Sequence, residues 1–141
     1  MAAPITQAEV DAVYPTVAKT IADALGCELD EVRRDASLIE DLGAESIDFL
    51  DLVFRLERAF KVKIPRGKIV EDARGDLAEA EFEHKGVVTD AGLATVKSFL
   101  SEVPADRIKA PLKLADIPRL FTPETFAKLV VRAQQAQGAA G

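Results

Sequence analysis

The chain has 141 residues, a formal net charge of −6 and no tryptophan, and 48% of its residues are hydrophobic. This length suits one domain with a mostly aliphatic core, and the negative charge argues against nucleic acid as a partner. One cysteine and one histidine leave little room for a zinc site. We expect Cys27 to be a packed or idle thiol rather than a reactive one. We expect His84 to lie in a surface turn without the partner that a catalytic base needs.

The apolar segments of the chain are too short for a membrane span, since none approaches ~18 residues. No basic stretch followed by an apolar run comes after the N-terminus, so no signal peptide is apparent. We therefore expect a cytoplasmic protein without a membrane span.

A first helix is predicted near the N-terminus. Thr6 can cap it, and Pro15 either kinks a helix that runs to Leu25 or begins a new one. Gly26 is typical of a residue that ends a helix. The buried stripe beyond the proline has helical spacing: Val17, Ile21 and Leu25.

A long segment without hydrophobic period, Cys27 to Glu45, precedes the strongest helix prediction, Ser46 to Phe60. A loop of this length in a compact domain is more often functional than accidental. The helix has a broad apolar face. This face is formed by Ile47, Leu50, Val53, Phe54, Leu56 and Phe60 and is widened by Phe49 and Leu52.

The second half of the chain has weaker helical patterns and no convincing pair of strands, so the predicted fold is all-α. Thr89 and Thr122 are the expected caps of two later helices. The predicted segments are a turn at Ile69–Ala73, a short helix or strand at Leu77–Phe82, a helix at Asp90–Ser101, a helix from Pro123, and a frayed tail at about 135–141.

The segment from residue 40 to residue 51 contains one serine, Ser46, and five carboxylates without Lys or Arg. The carboxylates are Glu40, Asp41, Glu45, Asp48 and Asp51. Ser46 lies where the loop becomes a helix, a position that suits either a plain N-cap or a group that carries a phosphate. A hydrolase serine is excluded because no base accompanies it and no G-x-S-x-G motif surrounds it.

The carboxylates of this segment allow two interpretations. They could bind a divalent cation weakly, although the spacing does not resemble an EF-hand loop. The absence of basic residues is better explained by a docking surface for Lys and Arg side chains of partner proteins.

The segment Asp41-Leu42-Gly43-Ala44-Glu45-Ser46-Ile47-Asp48 resembles the prosthetic-group site of acyl carrier proteins. The resemblance covers roughly residues 15–65, and the helix Thr122–Gln134 is similar to the last helix of that family. It implies a four-helix bundle and a carrier that is not itself an enzyme.

In this resemblance Ser46 would carry 4′-phosphopantetheine, which a phosphopantetheinyl transferase supplies from coenzyme A, with Gly43 and Ile47 flanking the site. The five carboxylates would dock a monomeric carrier to the transferase and to acyl-loading and acyltransferase or synthase enzymes with basic patches. The acyl pocket would be lined by Ile47, Leu50, Val53 and Leu56.

The sequence also departs from the family. Glu45 and Ile47 stand where aspartate and leucine are usual, and Arg55 and Arg58 add positive charge to the central helix. Within a single domain spanning 1–141, residues from about 66 to 113 would form a helical insertion. These departures favour a specialised carrier in fatty-acid or lipid biosynthesis. A polyketide or peptidyl carrier, or an acidic helical adaptor with Ser46 as a plain cap, remains an alternative.

Overall fold

The computed structural model describes residues 6–64, 71, 73–75 and 77–140. Its first element is a 19-residue helix, α1 (Gln7–Leu25). Thr6 Oγ1 accepts a hydrogen bond from the Glu9 N–H at 3.2 Å, and Glu9 Oε1 accepts one from the Thr6 N–H at 3.2 Å. Such a reciprocal pair satisfies two N–H groups that the first turn leaves unpaired. The helix is continuous through Pro15 and ends at Gly26, whose φ is 68°, so both caps predicted for it are confirmed.

The other elements follow in chain order. They are α2 (Ser46–Phe60), α3 (Glu79–Phe82), β1 (Glu83–His84), β2 (Val87–Val88), α4 (Asp90–Phe99) and α5 (Pro123–Ala140), with 3₁₀ turns at Leu29–Glu31, Ala105–Arg107 and Leu114–Leu120. The described residues are mostly helical, which confirms the predicted class. The predicted turn at Ile69–Ala73 lies largely outside the described residues.

The chain divides into two compact units, one formed by Met1–Ile64 with Thr122–Gly141 and the other by Pro65–Phe121. In the first unit, α1 packs against both α2 and α5. The Phe49 and Phe126 rings pack α2 against α5 with their centroids 5.8 Å apart. The buried residues of α1 include Val10, Val13, Val17 and Ile21.

The long loop between α1 and α2 is held against the core of this first unit. The Tyr14 hydroxyl donates a hydrogen bond to the Val32 carbonyl oxygen at 3.2 Å. Four apolar residues of the loop are buried: Val32, Ala36, Leu38 and Ala44. The burial of these side chains stabilises one path for the loop, although the loop has little regular structure.

The second unit contains an antiparallel hairpin that the sequence did not predict. β1 pairs with β2, with Glu83 opposite Val88 and His84 opposite Val87. The strands have two residues each, too few for an alternating pattern to be recognised. Thr89 caps α4 as predicted, since its Oγ1 accepts a hydrogen bond from the Gly92 N–H at 3.0 Å.

The last helix begins as predicted but is longer than expected. Thr122 Oγ1 accepts a hydrogen bond from the Thr125 N–H at 3.2 Å, and Thr125 Oγ1 accepts one from the Thr122 N–H at 3.0 Å. The helix continues to Ala140, past residue 135, where the sequence predicts a frayed tail. Within the described part of the chain, no helix is long and apolar enough to cross a bilayer.

Candidate functional site

The N-terminus of α2 is organised around Glu45 rather than Ser46. The Glu45 backbone is extended, with φ −109° and ψ 170°, and its carbonyl oxygen accepts hydrogen bonds from the N–H groups of Asp48 and Phe49 at 2.9 and 3.3 Å. Glu45 is therefore the N-cap and Ser46 the first helical residue, so the interpretation of Ser46 as a plain N-cap, one of the two that the sequence left open, is wrong.

The Asp48 side chain explains why the helix begins without a serine cap. Its Oδ2 atom accepts a hydrogen bond from the Glu45 N–H at 2.8 Å. This bond is half of a capping box, and it closes the first turn from the third helical position. The turn around Ser46 is thus held by its neighbours on both sides.

Gly43 sets the direction in which the chain approaches this turn. Its φ is +72°, and a Cβ built on it would have no atom within 4 Å. A side chain there would be disfavoured by the backbone conformation rather than by crowding. The following residue, Ala44, is buried and donates its N–H to the Leu38 carbonyl oxygen at 2.8 Å. The segment is therefore anchored two residues before Ser46.

A tight turn after Ser37 positions the first two carboxylates. Ser37 Oγ accepts a hydrogen bond from the Glu40 N–H at 3.0 Å, and Asp41 Oδ2 accepts one from the Ser37 N–H at 2.8 Å. Glu40 and Asp41 are both exposed. These bonds fix the backbone that presents the two side chains to solvent.

The five predicted carboxylates all lie at the end of the loop and in the first turns of α2, but they are not equivalent. Glu45, like Glu40 and Asp41, is exposed, whereas Asp48 and Asp51 are half-buried. Asp51 Oδ2 accepts a hydrogen bond from Arg55 Nε at 2.8 Å, so part of its charge is compensated. This pair was not predicted from the sequence, and the signal that could have revealed it is the i, i+4 spacing of the two residues.

The four residues predicted to line an acyl pocket run from the surface to the core. Ile47 is 70% exposed, Leu50 is half-buried, and Val53 and Leu56 are buried. Leu52, which was not predicted for the pocket, is also buried. The exposed Ile47 lies next to Ser46, and the buried residues continue toward the core on the following turns.

Phe54 differs from the sequence prediction. It was assigned to the apolar face of α2, yet it is 53% exposed. Ile47 and Phe54 are seven residues apart, which places them on one side of a helix with 3.6 residues per turn. Asp51, which is half-buried, and Arg58, which is exposed, lie on the same side of α2, since each is four residues after Ile47 or Phe54.

The single cysteine and the single histidine do not form a second reactive site. Burial, with a smaller effect from the Glu31 carboxylate, raises the pKa of the Cys27 thiol above its ordinary value, which keeps it protonated at neutral pH. His84 is exposed at the end of β1. In the described ranges, no group of three or more His, Cys, Asp or Glu residues is arranged to hold a metal ion.

Comparison with known proteins identifies similar sequences for the segment that contains Ser46. Residues 15–74 match a family model described as a phosphopantetheine attachment site. The chain is 34% identical over 68 residues to acyl carrier protein AcpXL of Mesorhizobium japonicum, an alignment that covers 48% of this chain and 73% of that protein.

A second relative is the acyl carrier protein of Bdellovibrio bacteriovorus. It is 43% identical over 54 residues, which cover 38% of this chain and 69% of that protein. The range matched by the family model begins within α1 and contains the whole loop and all of α2. It ends at residue 74, so most of the second unit lies outside it.

Proposed function

Because this chain belongs to the acyl carrier protein family and carries covalently attached 4′-phosphopantetheine, we propose that Ser46 is the residue to which this group is joined. The observation that carries the proposal is the position of Ser46, the first residue of α2 and a member of the matched attachment segment. The chain would then hold its acyl cargo without catalysing a reaction itself.

The surroundings of Ser46 suit this prosthetic group. The first N–H groups of a helix have no intrahelical acceptor and form the positive end of its dipole, where a phosphodiester is favoured. Glu45 and Ile47 on either side are exposed, and the space beside Gly43 is open. When attached, the group ends in a thiol that holds acyl chains as thioesters.

The apolar residues of α2 would shelter the cargo. We infer a path that begins at the exposed Ile47, passes the half-buried Leu50 and reaches the buried Val53 and Leu56. Each CH₂ group of an acyl chain removed from water there contributes about 0.8 kcal/mol. This path gives the predicted pocket residues a consistent order, from the surface inward.

Carriers of this family work with transferases and synthases. For this chain we infer a phosphopantetheinyl transferase and acyl-loading or acyltransferase enzymes whose basic patches meet the acidic surface, defined as Glu40, Asp41, Glu45, Asp48 and Asp51. We further infer a monomeric, cytoplasmic carrier. Opposite charges on the two partners would speed their encounter and select the partner more than they would raise affinity.

The second unit favours a specialised role in fatty-acid or lipid biosynthesis. Residues 65–121 form their own compact unit, and the family model ends at residue 74. We interpret most of this unit as an insertion into one acyl-carrier-like domain. Polyketide and peptidyl intermediates are the competing cargoes. Loading of the modified chain by a fatty-acyl ligase, and not by an amino-acid adenylating enzyme, would distinguish the first role from the peptidyl one.

The attachment residue is tested by mass spectrometry after incubation with coenzyme A and a phosphopantetheinyl transferase. The wild-type chain gains the mass of one phosphopantetheine, Ser46→Ala gains none, and Ser98→Ala, at an exposed serine of α4, behaves as wild type. Two results would refute the assignment. One is a Ser46→Ala chain that is still modified, and the other is a wild-type chain that is not modified by any of several transferases. A wild-type chain that stays unmodified and a Ser46→Ala chain that binds the same partner proteins equally well would instead support the adaptor alternative.

A further inference from the structure

A groove with a volume of about 540 Å³ is lined mainly by residues of the C-terminal half of α2 and of the segment that follows it. Of the described residues that line it, Asp51 is the one that also belongs to the acidic surface, and Ser46 is not among them. All of the groove's residues belong to the unit formed by Met1–Ile64 and Thr122–Gly141. It is lined by Asp51, Phe54, Glu57, Arg58, Lys61, Val62, Lys63 and Gln137. We refer to it as the basic groove, because of the charge described next.

The two carboxylates of the basic groove are already engaged within the chain. Asp51 Oδ2 accepts a hydrogen bond from Arg55 Nε at 2.8 Å, and Glu57 Oε2 accepts one from the Ile64 N–H at 2.7 Å. The three cations, Arg58, Lys61 and Lys63, are exposed. In the described ranges none of these three enters an ion pair, so the groove presents net positive charge to solvent.

An apolar surface accompanies this charge. Phe54 is 53% exposed and lies four residues before Arg58, which is one helical turn. Val62, also part of the groove lining, is buried. A solvent-exposed aromatic ring within a concave surface is a common anchor point for a partner side chain.

We propose that the basic groove docks an acidic segment of a partner protein, with an apolar side chain against Phe54 and carboxylates facing Arg58, Lys61 and Lys63. A small inorganic anion would leave Phe54 unused, and the overall net charge of −6 disfavours nucleic acid. The charge of this groove is opposite to that of the acidic surface near Ser46. The two ends of α2 would therefore select partners of opposite charge.

The proposal is tested with a fluorescein-labelled peptide of alternating Glu and Leu, added to the full-length chain without its prosthetic group. Binding is measured by fluorescence anisotropy at low and high salt. We expect binding that weakens with salt and falls about tenfold in Arg58→Glu with Lys63→Glu, since each reversal replaces an attraction by a repulsion. Lys61 is left intact because its φ of 55° ends the helix.

A matched double variant controls for overall charge. Lys19→Glu with Lys97→Glu makes the same change in net charge at exposed positions of α1 and α4, outside the groove. It is expected to bind the peptide within about twofold of wild type, with some loss from long-range charge alone. Phe54→Ala should weaken binding of the Glu–Leu peptide but not of a Glu–Ser peptide, and circular dichroism checks that every variant is folded.

Several outcomes would overturn the proposal. They are no binding of the peptide at low salt, an equal loss in the control variant, and tighter binding to phosphatidylglycerol vesicles with the same dependence on Arg58 and Lys63. Self-association of the chain that is lost in Arg58→Glu with Lys63→Glu and that the peptide competes with would do so as well, because the occupant of the groove would then be a second copy of this chain. Amide chemical shifts provide the positive result: the peptide should perturb residues 54–63 and Gln137 and leave the Ser46 turn unchanged.

Discussion

Asp48 Oδ2 accepts a hydrogen bond from the Glu45 N–H at 2.8 Å, and Ser46 lies between these two residues in the chain. The carboxylate therefore has two separable properties. As a hydrogen-bond acceptor it holds the first turn of α2, and as a charge it contributes to the acidic surface proposed for docking. An Asp-to-Asn change removes only the charge, whereas an Asp-to-Ala change removes both.

We predict that Asp48→Ala lowers the free energy of unfolding by about 1 kcal/mol, the usual contribution of a capping interaction. Asp48→Asn keeps an oxygen that can accept the Glu45 N–H, so its loss should be clearly smaller. Denaturant unfolding followed by circular dichroism measures both. Equal losses in the two variants would show that the hydrogen bond is not what stabilises the turn.

Gly43 and Gly26 form a matched pair. Both have positive φ, +72° and +68°, and at both a Cβ would have no atom within 4 Å. Alanine at either position should cost about 1–2 kcal/mol of stability for backbone reasons alone. Only Gly43→Ala should also slow modification of Ser46, because only Gly43 orients the segment before it. Equal transferase kinetics in the two variants would contradict that role.

The sequence predicted the helices around the site because long amphipathic segments have a clear period. It did not predict which side of α2 faces the core. Ile47 and Phe54 have the spacing of a buried stripe, yet both are exposed. A period groups residues on one face, but the partner that the face meets depends on tertiary packing.

Of the two interpretations of Ser46, the plain N-cap is wrong for a related reason. Serine is preferred over glutamate at an N-cap, so propensity favoured Ser46. The bond from the Glu45 N–H to Asp48 moved the helix start by one residue, and such boundaries are the least predictable feature of a helix. The basic groove could not be predicted at all, because Gln137 approaches it from a helix distant in sequence.

The loop before α2 should be sensitive to acid through Asp11. Asp11 Oδ1 accepts a hydrogen bond from Gln7 Nε2 at 2.9 Å and lies 2.7 Å from Arg34 Nη2. The pKa of Asp11 is lowered from its ordinary value of 3.8. The largest cause is the hydrogen bond from Gln7, followed by the hydrogen bond and the positive charge of Arg34. A carboxyl group whose pKa is lower in the folded state than in the unfolded state stabilises the folded state. This contribution is complete at pH values above the unfolded-state pKa, and it is lost as the pH falls through the folded-state pKa.

We therefore predict that wild type is more stable than Asp11→Asn at neutral pH and that the difference disappears below pH 3.8. Unfolding by denaturant at several pH values measures it. Arg34→Ala should reduce the pH dependence of this difference without removing it, because the Gln7 hydrogen bond to Asp11 remains. It should also lower stability at all pH values, because the Arg34 guanidinium lies 4.3 Å from the Tyr14 ring centroid. A difference that persists in acid would contradict the assignment.

Gly92 of α4 is packed so closely against Phe82 and Val88 that a side chain would not fit there. Mid-helix glycine normally costs roughly 1 kcal/mol relative to alanine, so Gly92→Ala would be expected to stabilise α4. A Cβ at this position would instead overlap the Phe82 carbonyl oxygen and lie 2.7 Å from Val88 Cγ1. We predict that Gly92→Ala lowers stability by about 2 kcal/mol or more, as overpacking against backbone does. A stability gain on thermal unfolding would refute the close approach.

The acidic surface is tested by charge reversal at Asp48 and Asp51. We predict that Asp48→Lys with Asp51→Lys lowers kcat/KM for phosphopantetheine transfer at least about tenfold at low salt, with a smaller effect at high salt. Asp23→Lys with Asp106→Lys makes the same change in net charge at exposed sites elsewhere and should have little effect. Unchanged kinetics of the first variant at low salt would count against docking.

Arg55 offers a complementary test that leaves the Asp48 capping bond intact. Its Nε donates to Asp51 Oδ2 at 2.8 Å, so Arg55→Ala should release the Asp51 carboxylate and increase the negative potential of the acidic surface. If docking to a basic transferase is limiting, this variant should be modified faster than wild type, and the gain should fade as salt is added. A slower reaction would mean that Arg55 itself contacts the transferase. In that case the partner surface would need both charges, and the acidic surface alone could not account for recognition.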